Sequence, residues 1–171
     1  MKILIAEDER DVALLYKNAL DRRNHQVILA ENGKMCLDIY HKEFEHMLSE
    51  SPISSIPFDA TILDHKMPKI NGMDVAKEIL AINPRQRIIF ASAFVKETLA
   101  TSIRELKQVV ELLQKPFGIN LLIDTLEDRN IYKELKKLNV DLEIIRAVNP
   151  THEQISDLLT RLQRIQRGRG S

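Results

Sequence analysis

The sequence predicts an α/β fold in which five parallel strands form a doubly wound sheet, followed by a helical extension at the C-terminus. Three observations predict it. Short apolar runs alternate with longer stretches of helical periodicity. Runs such as ILIA and RIIFA lack polar alternation, as strands covered on both faces do. Right-handed crossovers between parallel strands then leave a doubly wound sheet as the topology.

Each element follows from its own pattern. Lys2–Ala6 reads as a buried strand, and Asp11–Arg22 as a helix with Val12, Leu15, Ala19 and Leu20 on one side. His25–Ala30 is the second strand. Gly33–Ser49 is a helix with Leu37, Tyr40, Phe44, Met47 and Leu48 at helical spacing. The Ser- and Pro-rich stretch Glu50–Pro57 is a loop. Strand Ala60–Asp64, helix Met73–Asn83, strand Arg87–Ala91, helix Val95–Gln108 and strand Val109–Leu113 follow, with a further helix from about Gly118.

Composition narrows the function classes. In 171 residues, Lys+Arg and Asp+Glu balance at 25 each, so there is no basic excess for nucleic acid or an anionic membrane to select. No apolar run approaches the roughly 20 residues of a membrane span, and MKILIAEDE lacks a signal-peptide core, so a soluble, cytoplasmic protein is expected. The lone Cys36, set among Met35, Leu37, Ile39 and Tyr40, reads as a packing thiol. The five histidines show no metal-ligand spacing.

In an open parallel sheet, ligands bind beyond the carboxyl ends of the strands. That rule selects Glu7 and Asp8 after the first strand, Asp64 ending the third, Ser92 after the fourth and Lys115 after the fifth. Three converging carboxylates repel one another unless a cation joins them. Oxygen ligands favour Mg²⁺, which commonly serves phosphoryl chemistry. A hydroxyl and an ammonium suit phosphoryl oxygens, and one carboxylate can act as nucleophile and become an acyl phosphate.

The segments ILIAEDE, ILDHKMPKINGMD, IIFASAF and QKPF, in this order and spacing, resemble the receiver domain of two-component response regulators over roughly residues 1–125. The resemblance implies a flavodoxin-like sheet of order 2-1-3-4-5. It makes Asp64 the phosphoacceptor and gives Mg²⁺ to Glu7, Asp8, Asp64 and the backbone carbonyl of Lys66. Ser92 becomes the switch hydroxyl and Lys115 the phosphoryl-binding cation. Gly72 would supply the turn before the third helix, and Lys115–Pro116 the family's cis bond. The implied donor is a histidine kinase or phosphotransfer protein. Two departures stand out. Leu112 occupies a position where many members carry an aromatic residue, and the stretch between the second and third strands is about a dozen residues longer than usual. Lys66 and Phe94 hold positions that, in the family, tune loss of the phosphoryl group.

Two other readings use the same residues. One is a pseudo-receiver acting as a constitutive interaction or dimerisation scaffold. The other is a haloacid-dehalogenase-type phosphatase, which would need a second Asp two positions past the nucleophile, where Lys66 stands.

Residues 1–127 thus form the expected receiver and 128–171 the extension. Ile131, Leu135, Leu138, Leu142 and Ile145 trace a heptad-like seam. Asn149-Pro150 breaks it, and Thr151–Gln154 reads as a capping box before Ile155, Leu158, Leu162 and Ile165. A helical hairpin is expected that either packs back on its own receiver or mediates homodimerisation or partner binding, and self-association is the outcome favoured here. Arg161, Arg164, Arg167 and Arg169 lack a helix-turn-helix pattern beside them, so nucleic acid is not the expected partner.

Overall fold

The computed structural model describes residues 1–50, 56–93, 106, 110–127, 131, 134–135, 137–140 and 152–168. The chain divides into two compact units, Met1–Phe117 and Gly118–Ser171. In the first, β1 (Lys2–Ala6), α1 (Arg10–Asp21), β2 (Gln26–Ala30), α2 (Gly33–Glu50), β3 (Ala60–Leu63), α3 (Gly72–Ile82), β4 (Ile88–Ser92) and β5 (Val110–Gln114) follow one another. All neighbouring strands pair in parallel, and the sheet order is β2-β1-β3-β4-β5, as expected.

Strand alternation sorts the core into two layers. Leu4, Ala6, Leu63, Ile88 and Phe90 share a cluster with Cys36, Leu37 and Tyr40 of α2 and with Val75, Ala76 and Ile79 of α3. The intervening residues Ile3, Ile5, Ile62 and Ile89 are equally buried, so both faces of the sheet are covered. Each such side chain contributes about 1.5–3 kcal/mol. Within the core, Tyr40 donates to Gln86 Oε1 (3.2 Å) and Gln86 Nε2 donates to the Phe58 carbonyl (2.8 Å), so these two polar side chains are paired.

Several sequence expectations shift. The inward face of α1 is Ala13, Tyr16 and Leu20, whereas Leu15 is 57% exposed. At 100° per residue, Leu15 lies opposite that face. On α2, Leu48 is exposed near the helix end. Strand β3 stops at Leu63, leaving Asp64 just beyond it, while Ser92 is the last residue of β4. The helix expected over Val95–Gln108 lies outside the described residues except for buried Leu106, and Phe94 and most of the 50–57 loop lie outside them too.

In the second unit, α4 (Ile119–Glu127) buries Leu122 and Leu126. Ile131 and Leu135 cluster with Ile155 of α5 (His152–Gly168), and Val140, Leu158, Leu159 and Leu162 pack against them. Ile165, on the same helix, is 55% exposed. The expected seam residues Leu142 and Ile145, the Asn149-Pro150 break and Thr151 of the capping box lie outside the described residues. No helix among the described residues is long and apolar enough to cross a membrane.

Candidate functional site

Strand register builds the site. Ala6 lies beside both Ala30 and Leu63, so β1 and β3 end level with one another. The next residue on each strand is then Glu7 and Asp64. The Asp64 amide donates to the Ala6 carbonyl (2.9 Å), and the Glu7 amide donates to that of Ala30 (3.0 Å). One carboxylate oxygen from each of Glu7, Asp8 and Asp64 lies within 4.8 Å of the others. Glu7 and Asp64 are buried and Asp8 is exposed.

Lys115 enters from the end of β5. Its Nζ donates to Glu7 Oε2 (2.7 Å) and Asp64 Oδ2 (3.0 Å). Its own amide donates to the Ser92 carbonyl (2.8 Å), and the bond to Pro116 is cis, as expected. Ser92 is fully buried at the end of the neighbouring strand. The register therefore brings Glu7, Asp8 and Asp64 together and adds Lys115 to them.

Burial pushes the Glu7 carboxyl from 4.5 up to about 7, although the Lys115 ammonium pulls it back. Burial alone would lower the Lys115 ammonium, but its bonds to Glu7 and Asp64 outweigh that and hold it up at about 12. Glu7 Oε1 is buried with no hydrogen-bond partner. A lone buried acceptor beside two further carboxylates fits a hard cation with oxygen ligands, and Mg²⁺ is such an ion. Because the folded-state value for Glu7 is raised, its protonated form is the one that folding favours. The contribution of Glu7 to metal-free stability should therefore be complete below about pH 4.5 and be lost as pH rises through about 7. Added Mg²⁺ should reverse that loss, since a cation held by these carboxylates in the folded state alone would stabilise it and compete with the proton. Melting curves across this range with EDTA and with Mg²⁺ check it; superimposable curves would separate Glu7 from the metal.

The β3–α3 loop completes the wall. The Lys66 amide donates to Asp64 Oδ1 (3.2 Å). Asn71 caps α3 by accepting from the Asp74 amide (2.9 Å). Gly72 does not serve here by conformational freedom, contrary to the sequence expectation. No glycine among the described residues has a positive φ, and in this loop it is Lys69 that adopts one, at 69°. Gly72 is needed because it has no side chain: a Cβ there would lie 2.0 Å from the Asp64 carbonyl oxygen. Beside the acids, Asp8, His65, Lys66 and Met67 line part of a cleft of about 620 Å³.

Leu112 is half-buried against the core. One contact near the site was not anticipated. Tyr16 of α1 stacks on Phe117, two residues past Lys115, with centroids 5.7 Å apart. The inward face of α1, with Tyr16 in place of the expected Leu15, brings this contact about.

Comparisons with known proteins agree with this geometry. The model of the response regulator receiver domain matches residues 3–127. Sporulation initiation phosphotransferase F of Bacillus subtilis is 26% identical over 126 residues, covering 74% of this chain and 90% of its own length. A receiver domain structure from Clostridium thermocellum superposes with a TM-score of 0.60 at 26% identity, covering 78% of this chain and 97% of that one. The response regulator TrrA of Thermotoga maritima, solved in complex with Mg²⁺ and BeF, gives a TM-score of 0.57 at 25% identity, covering 74% and 96%. With its sheet order, its acidic strand ends and this match over most of its length, the chain belongs to the response regulator receiver domain family.

Proposed function

We propose that the chain is a phosphorylation-controlled switch that accepts a phosphoryl group on Asp64 from a histidine kinase or phosphotransfer protein. The observation that carries this reading is the Asp64 carboxylate, set at a strand end against the Lys115 ammonium and two further acids. A carboxylate oxygen of Asp64 attacks phosphorus, the bond from phosphorus to the donor nitrogen breaks, and the imidazole leaves with its electron pair. Lys115 then exchanges its carboxylate contacts for a phosphoryl oxygen, and the Ser92 hydroxyl moves to meet another. Glu7, Asp8, Asp64 and the Lys66 carbonyl would hold Mg²⁺, whose charge offsets that of the incoming group. The TrrA complex with Mg²⁺ and BeF supports this ligand chemistry.

Chemistry in this reading is confined to self-phosphorylation and slow hydrolysis, and the output is a protein–protein interaction in the cytoplasm. We take residues 1–127 as the receiver and 128–171 as the element that carries the output by homodimerisation. Much of the apolar seam is already covered within that element, which leaves Ile165 and the half-buried Leu158 and Leu162 for a second copy.

Light scattering on the full chain and on a chain ending at Asn130, each with and without acetyl phosphate and Mg²⁺, tests the switch. A dimer that strengthens on phosphorylation and vanishes on truncation is expected. Self-association unaffected by phosphorylation would instead favour the constitutive scaffold. Monomers throughout would place the output on another protein.

A further inference from the structure

Lys115 is held at its backbone amide and at its side-chain ammonium. Its amide is fixed by the Ser92 carbonyl (2.8 Å) and its ammonium by Glu7 and Asp64. Beyond it, Pro116 is exposed. The next anchor is Phe117, whose ring lies nearly parallel to that of Tyr16, at 16° between planes. Tyr16 is 5% exposed and belongs to the helix that begins just after Glu7 and Asp8. The stack therefore ties the helix leaving the acidic strand end to the loop carrying the ammonium.

We propose that Tyr16 is a positioning residue for phosphoryl acceptance: by stacking on Phe117 it fixes the Lys115 loop so that the ammonium meets the phosphoryl oxygens as the bond to Asp64 forms. This deepens the function proposed above and rests on it. Offset, near-parallel rings at this distance contribute about 0.5–1.5 kcal/mol beyond their buried area. The phenol also lies in the field of the reacting groups. Burial pushes it up to about 12, with Lys115 opposing and Glu7 and Asp64 adding to the rise. The ring, rather than the hydroxyl, makes the contact, so the two parts of the side chain have separable roles. Displacing a catalytic group by about 1 Å can slow a reaction on the order of a hundredfold.

The test uses the full-length chain labelled by acetyl phosphate with Mg²⁺, well below its melting temperature, with maximal rate and donor KM measured separately. Tyr16→Phe keeps the ring and should label at the wild-type maximal rate. Tyr16→Leu and Phe117→Leu should each lower the maximal rate by about tenfold or more, with smaller changes in KM. Because the two residues act through one contact, the double variant should be no slower than the slower single variant. Phe117 is only half-buried, so Phe117→Leu carries the test if Tyr16→Leu does not fold. Wild-type rates in the folded leucine variants would overturn the proposal. So would losses that multiply in the double variant, or a Tyr16→Phe rate as low as that of Tyr16→Leu. A wild-type chain that takes no label at all would instead overturn the receiver reading on which this rests.

Discussion

Asp64→Asn is expected to take up no phosphoryl group while keeping its fold. The amide matches the carboxylate in shape but offers no anionic oxygen to attack phosphorus. Lys115 keeps its 2.7 Å bond to Glu7, so the ammonium is not left without a partner. Treatment with acetyl phosphate and Mg²⁺, then borohydride reduction and peptide mass spectrometry, reads the result directly. The wild-type chain should carry its adduct on Asp64, and the variant should show background only. Wild-type labelling of the variant would move the acceptor to another residue, and an adduct on His65 would identify a different chemistry.

Gly72→Ala should destabilise the chain despite adding only a methyl group. Ala is the better helix former, and at an unstrained interior position the exchange would stabilise by about 0.5–1 kcal/mol. Gly72 opens α3 without a positive φ, so that preference is available to it. The added Cβ would nevertheless fall 2.0 Å from the Asp64 carbonyl oxygen and 2.9 Å from its carbonyl carbon. Both are backbone atoms of a residue whose amide is hydrogen-bonded to the Ala6 carbonyl, and backbone cannot rotate aside. Overpacking of this kind costs about 1–3 kcal/mol, which in a chain of this size lowers the melting temperature by roughly 2–4 °C per kcal/mol. Labelling should slow as well, because the relaxation must displace the acceptor. Gly118→Ala is the control: nothing lies within 4 Å of its Cβ position, and its effect should be small. Equal melting temperatures for the two variants would show that the loop absorbs the methyl.

The strands and the strand-end acids were legible because their signals are local. An uninterrupted apolar run fixes a strand covered on both faces, and parallel pairing then sets the residues after Ala6 and Leu63 side by side. The phase of α1 was harder to read. Val12, Ala13, Leu14, Leu15 and Tyr16 are all able to pack, and periodicity alone does not say which of them faces the sheet. Packing decides in favour of Ala13, Tyr16 and Leu20, and that choice brings Tyr16 to Phe117. Gly72 illustrates a different limit. Its identity was legible, but its reason was steric, and a contact with the carbonyl of a residue just past the preceding strand leaves no mark in the residues around it. The pairing of Lys115 with Glu7 spans 108 positions and depends on the sheet order, so it too emerges only from the fold.

The burial of Cys36 has a practical consequence for watching this molecule at work. It is the one cysteine in the chain, it has no solvent exposure, and burial pushes its thiol up to about 12. Thiolate is the form that reacts with maleimides and spin-label reagents, so the native chain is close to inert towards them. It also contains no tryptophan. An added surface cysteine or tryptophan would therefore report from one known place, without stripping any native residue from the core, and optical or paramagnetic signals could be followed against a silent background.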